Sequence, residues 1–297
     1  MRTTLLDGVY ADPDADGPRE VLADWLIEQG DPFGEFVALQ LARHRTDGPQ
    51  PAWGRRAGGL PKREKALFRQ HGAAWFGDVP IDGLWEPERG FPRVAHLGGM
   101  PQRYPRGPLP GLRTLRTLRL TRSDHRLDRG LHAFLLHPGL ANVTAIHRLA
   151  AHDLPTVVQA SFQLRRLTLF AHGHAEEAVG DLWRLPRLRA LHVRSLENEI
   201  PWLAHMPADT LGLVEVPNAE GGDPVVLARI LAHVHDTVRR VELVHAHGGA
   251  AFVRGAQGGW RYVNERVLNP IMGAMLGPSP TLREAYRDWA TGYDGGT

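Results

Sequence analysis

A recurring triplet of apolar residues constrains this chain more than any other feature. The pattern L-x-x-L-x-L stands at Leu115, Leu118 and Leu120, at Leu164, Leu167 and Leu169, and at Leu188, Leu191 and Val193. Val238, Val241 and Leu243 form a fourth copy with valine at its first two positions. The middle residues, 118, 167, 191 and 241, lie 49, 24 and 50 residues apart. One period of about 24 or 25 residues, with two turns in each long gap, accounts for all three spacings. Weaker copies are then expected at the vacant marks. Leu140, Val143 and Ala145 fill the first, Leu211, Leu213 and Val216 the second, and Phe91 and Val94 precede Leu118 by one further period.

Each turn supplies one short strand whose alternate residues enter a core, and no turn can bury that apolar face alone. Stacked turns share the burial. The segments between the strands, Leu131 to Leu136, Thr156 to Phe162, Glu176 to Trp183 and Pro224 to Val234, have the composition of short helices. The expected architecture is therefore α/β: a solenoid of parallel strands with helical or irregular backs and right-handed crossovers.

Ahead of the repeats the periodicity changes from two to three and four. Val21, Leu22, Trp25 and Leu26 predict a helix from Pro18 to Gln29, capped by Asp16 or Gly17 and ended by Gly30. A second helix opens with Pro32 and runs to about His44, completing a helical hairpin. The Pro/Gly-rich stretch 46–61 is a connection, followed by a helix from Pro61 to about His71. AFVR at 251–254 and WRYV at 260–263 predict a hairpin that closes the last turn. The domain organisation is thus a helical module over 1–48, a linker and helix over 49–89, the repeats over 90–248, and a cap of hairpin plus helix over 249–297.

Charge divides along the same line. Residues 1–48 hold ten carboxylates against four arginines, a net of −6, and the remainder carries +8. Residues 103–129 hold eight arginines against Asp124 and Asp128. Lysine occurs only at Lys62 and Lys65, so the basic charge is nearly all guanidinium. The absence of cysteine excludes disulfides, thiolate metal sites and a cysteine nucleophile. No window approaches the eighteen or so apolar residues of a membrane helix, and the start turns acidic before a signal-peptide core can form, so the reading is a soluble, cytoplasmic protein without membrane contact.

Over 90–248 the chain resembles leucine-rich-repeat proteins in degenerate form. The asparagine that follows the strand in that family falls here at Ser123, His172, Leu196 and Ala246. The N-terminal stretch resembles the bacterial repeat-companion domain. That likeness rests on Asp12-Pro13-Asp14, Pro18-Arg19, Ala23-Asp24-Trp25-Leu26, Gly30-Asp31-Pro32, Gly34-Glu35-Phe36 and Gln40. It implies a helical module attached to repeats, and it implies no reaction.

Reactive motifs are sparse. The spacing Asp12-x-Asp14-x-Asp16-Gly17 copies the start of a calcium loop, but its twelfth position is Ala23 where a bidentate glutamate belongs. Helix capping is the better reading. His172 and His174, and His245 and His247, follow two strands three turns apart, too distant to share one ion. No HExxH, G-x-S-x-G, S-x-x-K or P-loop is present, so no catalytic residue, metal ligand or cofactor is assigned. The exposed strand face should instead carry columns: Thr117, Asn142, Arg166, Ala190 and Arg240; Arg119, Thr144, Thr168, His192 and Glu242; Thr121, Phe170 and Arg194. Arg119, Arg166, Thr168, Phe170, His192, Arg194, Arg240 and Glu242 are the candidate partner-binding residues. The function read from this is a non-enzymatic scaffold that binds a protein or peptide. The alternatives are a nucleic-acid binder using the 103–129 arginines and a metal-dependent enzyme using the histidine clusters.

Overall fold

The computed structural model describes residues 1–47, 61–76, 85–97, 109–120, 129–160, 162–170, 181–194, 210–214, 232, 234, 236–245, 248–256 and 259–263. The architecture is mixed α/β with mostly parallel strands. The chain divides into two compact units, one of Met1–Arg122, Leu127–Ala145 and Gln159–Gln163, the other of Ser123–Arg126, Ile146–Val158 and Leu164–Thr297. No described helix is long and apolar enough to cross a membrane.

The first unit opens with helices α1 (Arg2–Ala11), α2 (Gly17–Glu28), α3 (Pro32–Asp47) and α4 (Lys62–Phe76). Helix α1 has no counterpart in the sequence reading; the others start where their prolines predict. At the end of α2 the Gly30 N–H donates to the Ile27 carbonyl and the Asp31 N–H to the Leu26 carbonyl, both at 2.9 Å. That pair of bonds satisfies carbonyls a helix end leaves open. Asp31 then turns to the next helix and accepts the Phe33 N–H at 2.9 Å, capping α3. Leu22, Leu26, Phe33, Phe36, Val37, Leu67 and Phe91 share one buried core. The α2/α3 crossing is close: a Cβ on Gly34 would stand 2.7 Å from the Ala23 carbonyl oxygen and 2.7 Å from the Ile27 nitrogen.

Strands β1 (Trp85–Glu88), β2 (Phe91–Leu97) and β3 (Thr117–Leu120) follow in that order, β1 antiparallel to β2 and β2 parallel to β3. Ala95 opposes Leu118 and Leu97 opposes Leu120, all four buried, which forms two apolar rows. The inward residue of β2 is therefore Ala95, one past the expected Val94, which opposes Thr117. A 3-10 turn over Pro110–Thr114 buries Leu112, α5 (Arg129–Leu135) buries Leu131, Phe134 and Leu135, and a second 3-10 turn over Pro138–Leu140 buries Leu140.

In the second unit β4 (Ala145–Ala150), β5 (Arg166–Phe170), β6 (Ala190–Arg194), β7 (Thr210–Val214), β8 (Arg240–His245), β9 (Gly248–Arg254) and β10 (Trp260–Val263) lie side by side in chain order, with α6 (Leu154–Gln159) between β4 and β5 in sequence. From β5 to β8 every pairing is parallel and in phase. Leu167, Leu191, Leu211 and Val241 form one row; Leu169, Val193, Leu213 and Leu243 form the next. Leu211 and Leu213 thus stand at the expected positions, while Val216 lies outside the described residues. The expected hairpin forms as β9 and β10, with Trp260 opposite Arg254 and Val263 opposite Ala251.

The fourth strand corrects the expected register. Ala145 donates its N–H to the Arg116 carbonyl at 3.0 Å and opens β4, so Val143 belongs to the preceding turn and Ile146 is the first inward residue. Arg148 then takes a left-handed conformation, φ +65, and the alternation shifts by one so that Leu149 is buried. Asn142 and Thr144 consequently leave the predicted columns: Asn142 donates to the Arg113 carbonyl at 3.0 Å, and the Thr144 hydroxyl to the Arg116 carbonyl at 3.3 Å. The predicted backs at Glu176 to Trp183 and Pro224 to Val234 lie largely outside the described residues.

Replacing Gly34 by alanine tests the helix crossing. Its new methyl meets backbone, which cannot rotate away, so urea denaturation is expected to show a loss of about 2–3 kcal/mol.

Candidate functional site

Two groupings of polar side chains stand out, one in each unit. In the second unit, the paired strands β5 to β8 carry the predicted partner residues other than Arg119. Backbone pairing sets Arg166, Ala190, Thr210 and Arg240 in one row, Thr168, His192, Gly212 and Glu242 in the next, and Phe170, Arg194, Val214 and Val244 in a third. Arg166 is exposed, and Thr168 and Arg240 are half-buried. The hairpin extends the rows, with Val253 beside Arg240 and Ala251 beside Glu242. At the opposite margin the Nδ1 atom of buried His147 lies 3.2 Å from the Thr168 hydroxyl. Nothing in the sequence marks His147, because the repeat spacing places the inward position of β4 at Val143, three residues before Ile146. Thr121 lies outside the described residues.

Arg119 is placed differently from the other candidates. It lies opposite His96 on β2, and its side chain is 15% exposed. Its guanidinium donates to Glu86 Oε1 at 2.8 Å, and the same oxygen lies 2.9 Å from His96 Nε2. Glu86, itself 8% exposed, thus joins three strands of the first unit. The expectation of a solvent-facing arginine is revised: a carboxylate with so little water access needs its cation, and Arg119 supplies it.

The second grouping surrounds the segment Asp12 to Arg19, whose alternating aspartates copy a calcium loop in sequence. Cationic side chains occupy Asp14 and Asp16. Arg89 donates to the Asp14 carbonyl at 2.7 Å and to Asp16 Oδ1 at 2.9 Å. Arg116 reaches Asp14 Oδ2 at 3.0 Å, and Arg93 stands 3.5 Å from Asp14 while bonding Glu88 at 2.5 Å. Asp16 does precede α2, as predicted, but its side chain makes no capping bond and serves Arg89 instead. Burial would raise the pKa of Asp14, yet the hydrogen bond from Arg116 and the charges of Arg116, Arg93 and Arg89 outweigh it and hold the carboxyl below its ordinary value.

Arg19 lies inside this cluster, 2% exposed, and closes the Pro-rich loop by donating to the carbonyls of Ala15 at 2.5 Å and Pro13 at 2.6 Å. Burial, then the neighbouring Arg89 charge, bring its pKa down to about 10, so it stays protonated at neutral pH. Of the arginines in 103–129, Arg116 and Arg119 are thus engaged by carboxylates of the same unit; Arg103, Arg106, Arg122 and Arg126 lie outside the described residues.

Among the described residues no group of three or more His, Asp or Glu side chains could hold a metal ion. His172, His174 and His247 lie outside the described residues, and His245 ends β8 opposite Gly248. Comparison of the chain with family models, with curated proteins and with solved structures gives no match.

Two outcomes follow from these contacts. Asp14 has a depressed folded-state pKa, so its contribution to stability is full above the unfolded value near ~3.9 and is lost as pH falls through the lower folded value. The stability difference between wild type and Asp14→Asn, followed by denaturation at a series of pH values, should therefore be widest above about pH 5 and shrink below about pH 4. Arg119→Ala takes the guanidinium from Glu86 and leaves it only the His96 contact, and should weaken the first unit by about 2–4 kcal/mol, read from native-state hydrogen exchange of the β2 and β3 amides.

Proposed function

We propose that the chain is a non-enzymatic interaction scaffold that takes a protein or peptide partner on the strand face of a leucine-rich-repeat-like solenoid, headed by a module of the repeat-companion type. One observation carries this reading: four consecutive parallel strands, β5 to β8, hold the same phase, so their outward positions form rows and not isolated spots. Row one ends in arginine at both sides, Arg166 and Arg240, with the small residues Ala190 and Thr210 between them. The middle row adds Thr168, His192 and Glu242 around Gly212. Such a surface offers charged and hydrogen-bonding margins about a shallow centre, which suits an extended segment with acidic groups. Phe170 and Arg194, adjacent in register, are the aromatic and cationic anchors of this reading. Arg119 is omitted from the surface because Glu86 engages it.

The test is quantitative capture from the native cell with wild type and an Arg166→Glu/Arg240→Glu variant, each treated with nuclease. Partners recovered at least about tenfold less by the variant, with both proteins equally folded by circular dichroism, support the face. Equal recovery by both rejects it, and recovery abolished by nuclease favours nucleic acid instead.

A further inference from the structure

We propose that the N-terminal helical module is a receptor for a β-turn presenting Arg-Gly-Phe, and that its occupant here is the chain's own hairpin tip, Arg89-Gly90-Phe91. The tip is a two-residue loop between Glu88 and Phe91, the pair that closes the β1/β2 ladder. Both loop residues have positive φ, +52 at Arg89 and +84 at Gly90. This is the turn class that favours Asn-Gly or Asp-Gly, and an arginine held at its first position is strained. A strained residue persists where its surroundings over-determine it.

Each tip residue is recognised by different chemistry. The Arg89 guanidinium is read by the Asp14 carbonyl and the Asp16 carboxylate, at 2.7 and 2.9 Å. Gly90 donates its N–H to Gln40 Oε1 at 2.8 Å, and a Cβ there would collide with Val37. Gln40 is itself held: its amide nitrogen donates to Glu64 at 3.1 Å, and the Arg43 fork fixes Glu64 with two bonds of 3.0 Å. Phe91, 3% exposed, enters the module's core beside Tyr10 and Phe33, with ring centroids 6.1 and 5.6 Å away, and Arg19 lies 5.4 Å over its ring. A charged fork, a Cβ-free backbone donor and an aromatic plug are thus met by an acid, an amide and an apolar core. No residue of the β5 to β8 face takes part, so the inference stands apart from the scaffold reading.

The decisive variant in the full chain is Arg89→Asn, because asparagine suits the turn better than arginine does. Under the proposal, amides of residues 14–19 and 36–44 exchange about tenfold or more faster while those of β5 to β8 keep wild-type protection. Asp16→Asn has a similar effect alone and adds little in the Arg89→Asn background. Wild-type or greater protection in Arg89→Asn, which a mere turn position requires, overturns the proposal, and so does full additivity of the two changes. Should Arg89→Asn fail to fold, Arg89→Lys decides: faster exchange confined to the same two segments supports it, and wild-type exchange overturns it.

Discussion

Parallel pairing of β5 to β8 fixes two surfaces at once, because each strand shows alternate residues to opposite faces. A slip of one residue would turn Leu167 and Leu169 outward and bring Arg166 and Thr168 into the core. The apolar rows therefore hold the polar rows in place, with the same hydrogen-bond ladder serving both. A loss of the apolar rows would carry the placement of the outward rows with it. A change at Leu191 would disturb the outward rows without touching any outward residue.

The strong copies of the repeat were legible for the same reason. Leucine or valine at positions two apart, inside a segment that alternates, has few other uses, and Leu118, Leu167, Leu191 and Val241 all sit where the spacing put them. The weak copies were misread by small, explicable amounts. The 3-10 turns before β3 and β4 bury their own leucines, so apolar residues recur every three positions through Leu112, Leu115 and Leu118 and through Leu140, Val143 and Ile146. A period of three leaves the register ambiguous by three, and the left-handed residue at Arg148 removes the alternation that would have resolved it. In β2 the inward position is Ala95, too small to advertise itself beside Val94. The register of the strands beyond β4 is legible in the sequence, whereas the contacts of Glu86, His96 and His147 are not, since nothing local marks a residue that pairs across strands.

Charge segregation along the chain also has an explanation the composition alone does not offer. The acidic first segment and the basic stretch that follows meet within one unit, where Asp14 and Asp16 receive Arg89, Arg93 and Arg116. Two segments of opposite sign need not have separate tasks. Here part of the excess on each side is neutralised by the other, and two of the aspartates that imitate a calcium loop, Asp14 and Asp16, are complements to guanidinium groups.

The near-exclusive use of arginine fits this arrangement on geometric grounds. The loop Asp12-Pro13-Asp14-Ala15-Asp16-Gly17-Pro18 contains two prolines, which have no N–H to offer, so carbonyls in and around it need donors from elsewhere. Arg19 supplies two, to Pro13 and Ala15, and Arg89 a third, to Asp14. Arg116 does the same for the carbonyls of Arg113 and Leu115 while its other terminal nitrogen holds Asp14. A planar fork with five donors can bond a backbone oxygen and a carboxylate together, where a lysine ammonium is a compact charge on a flexible stem with no fixed geometry. Codon preference can raise the arginine content of a whole chain, but it does not select which arginines are buried against carbonyls. At Arg19, Arg89 and Arg116 the guanidinium is structural, so lysine there would keep the charge and lose the loop.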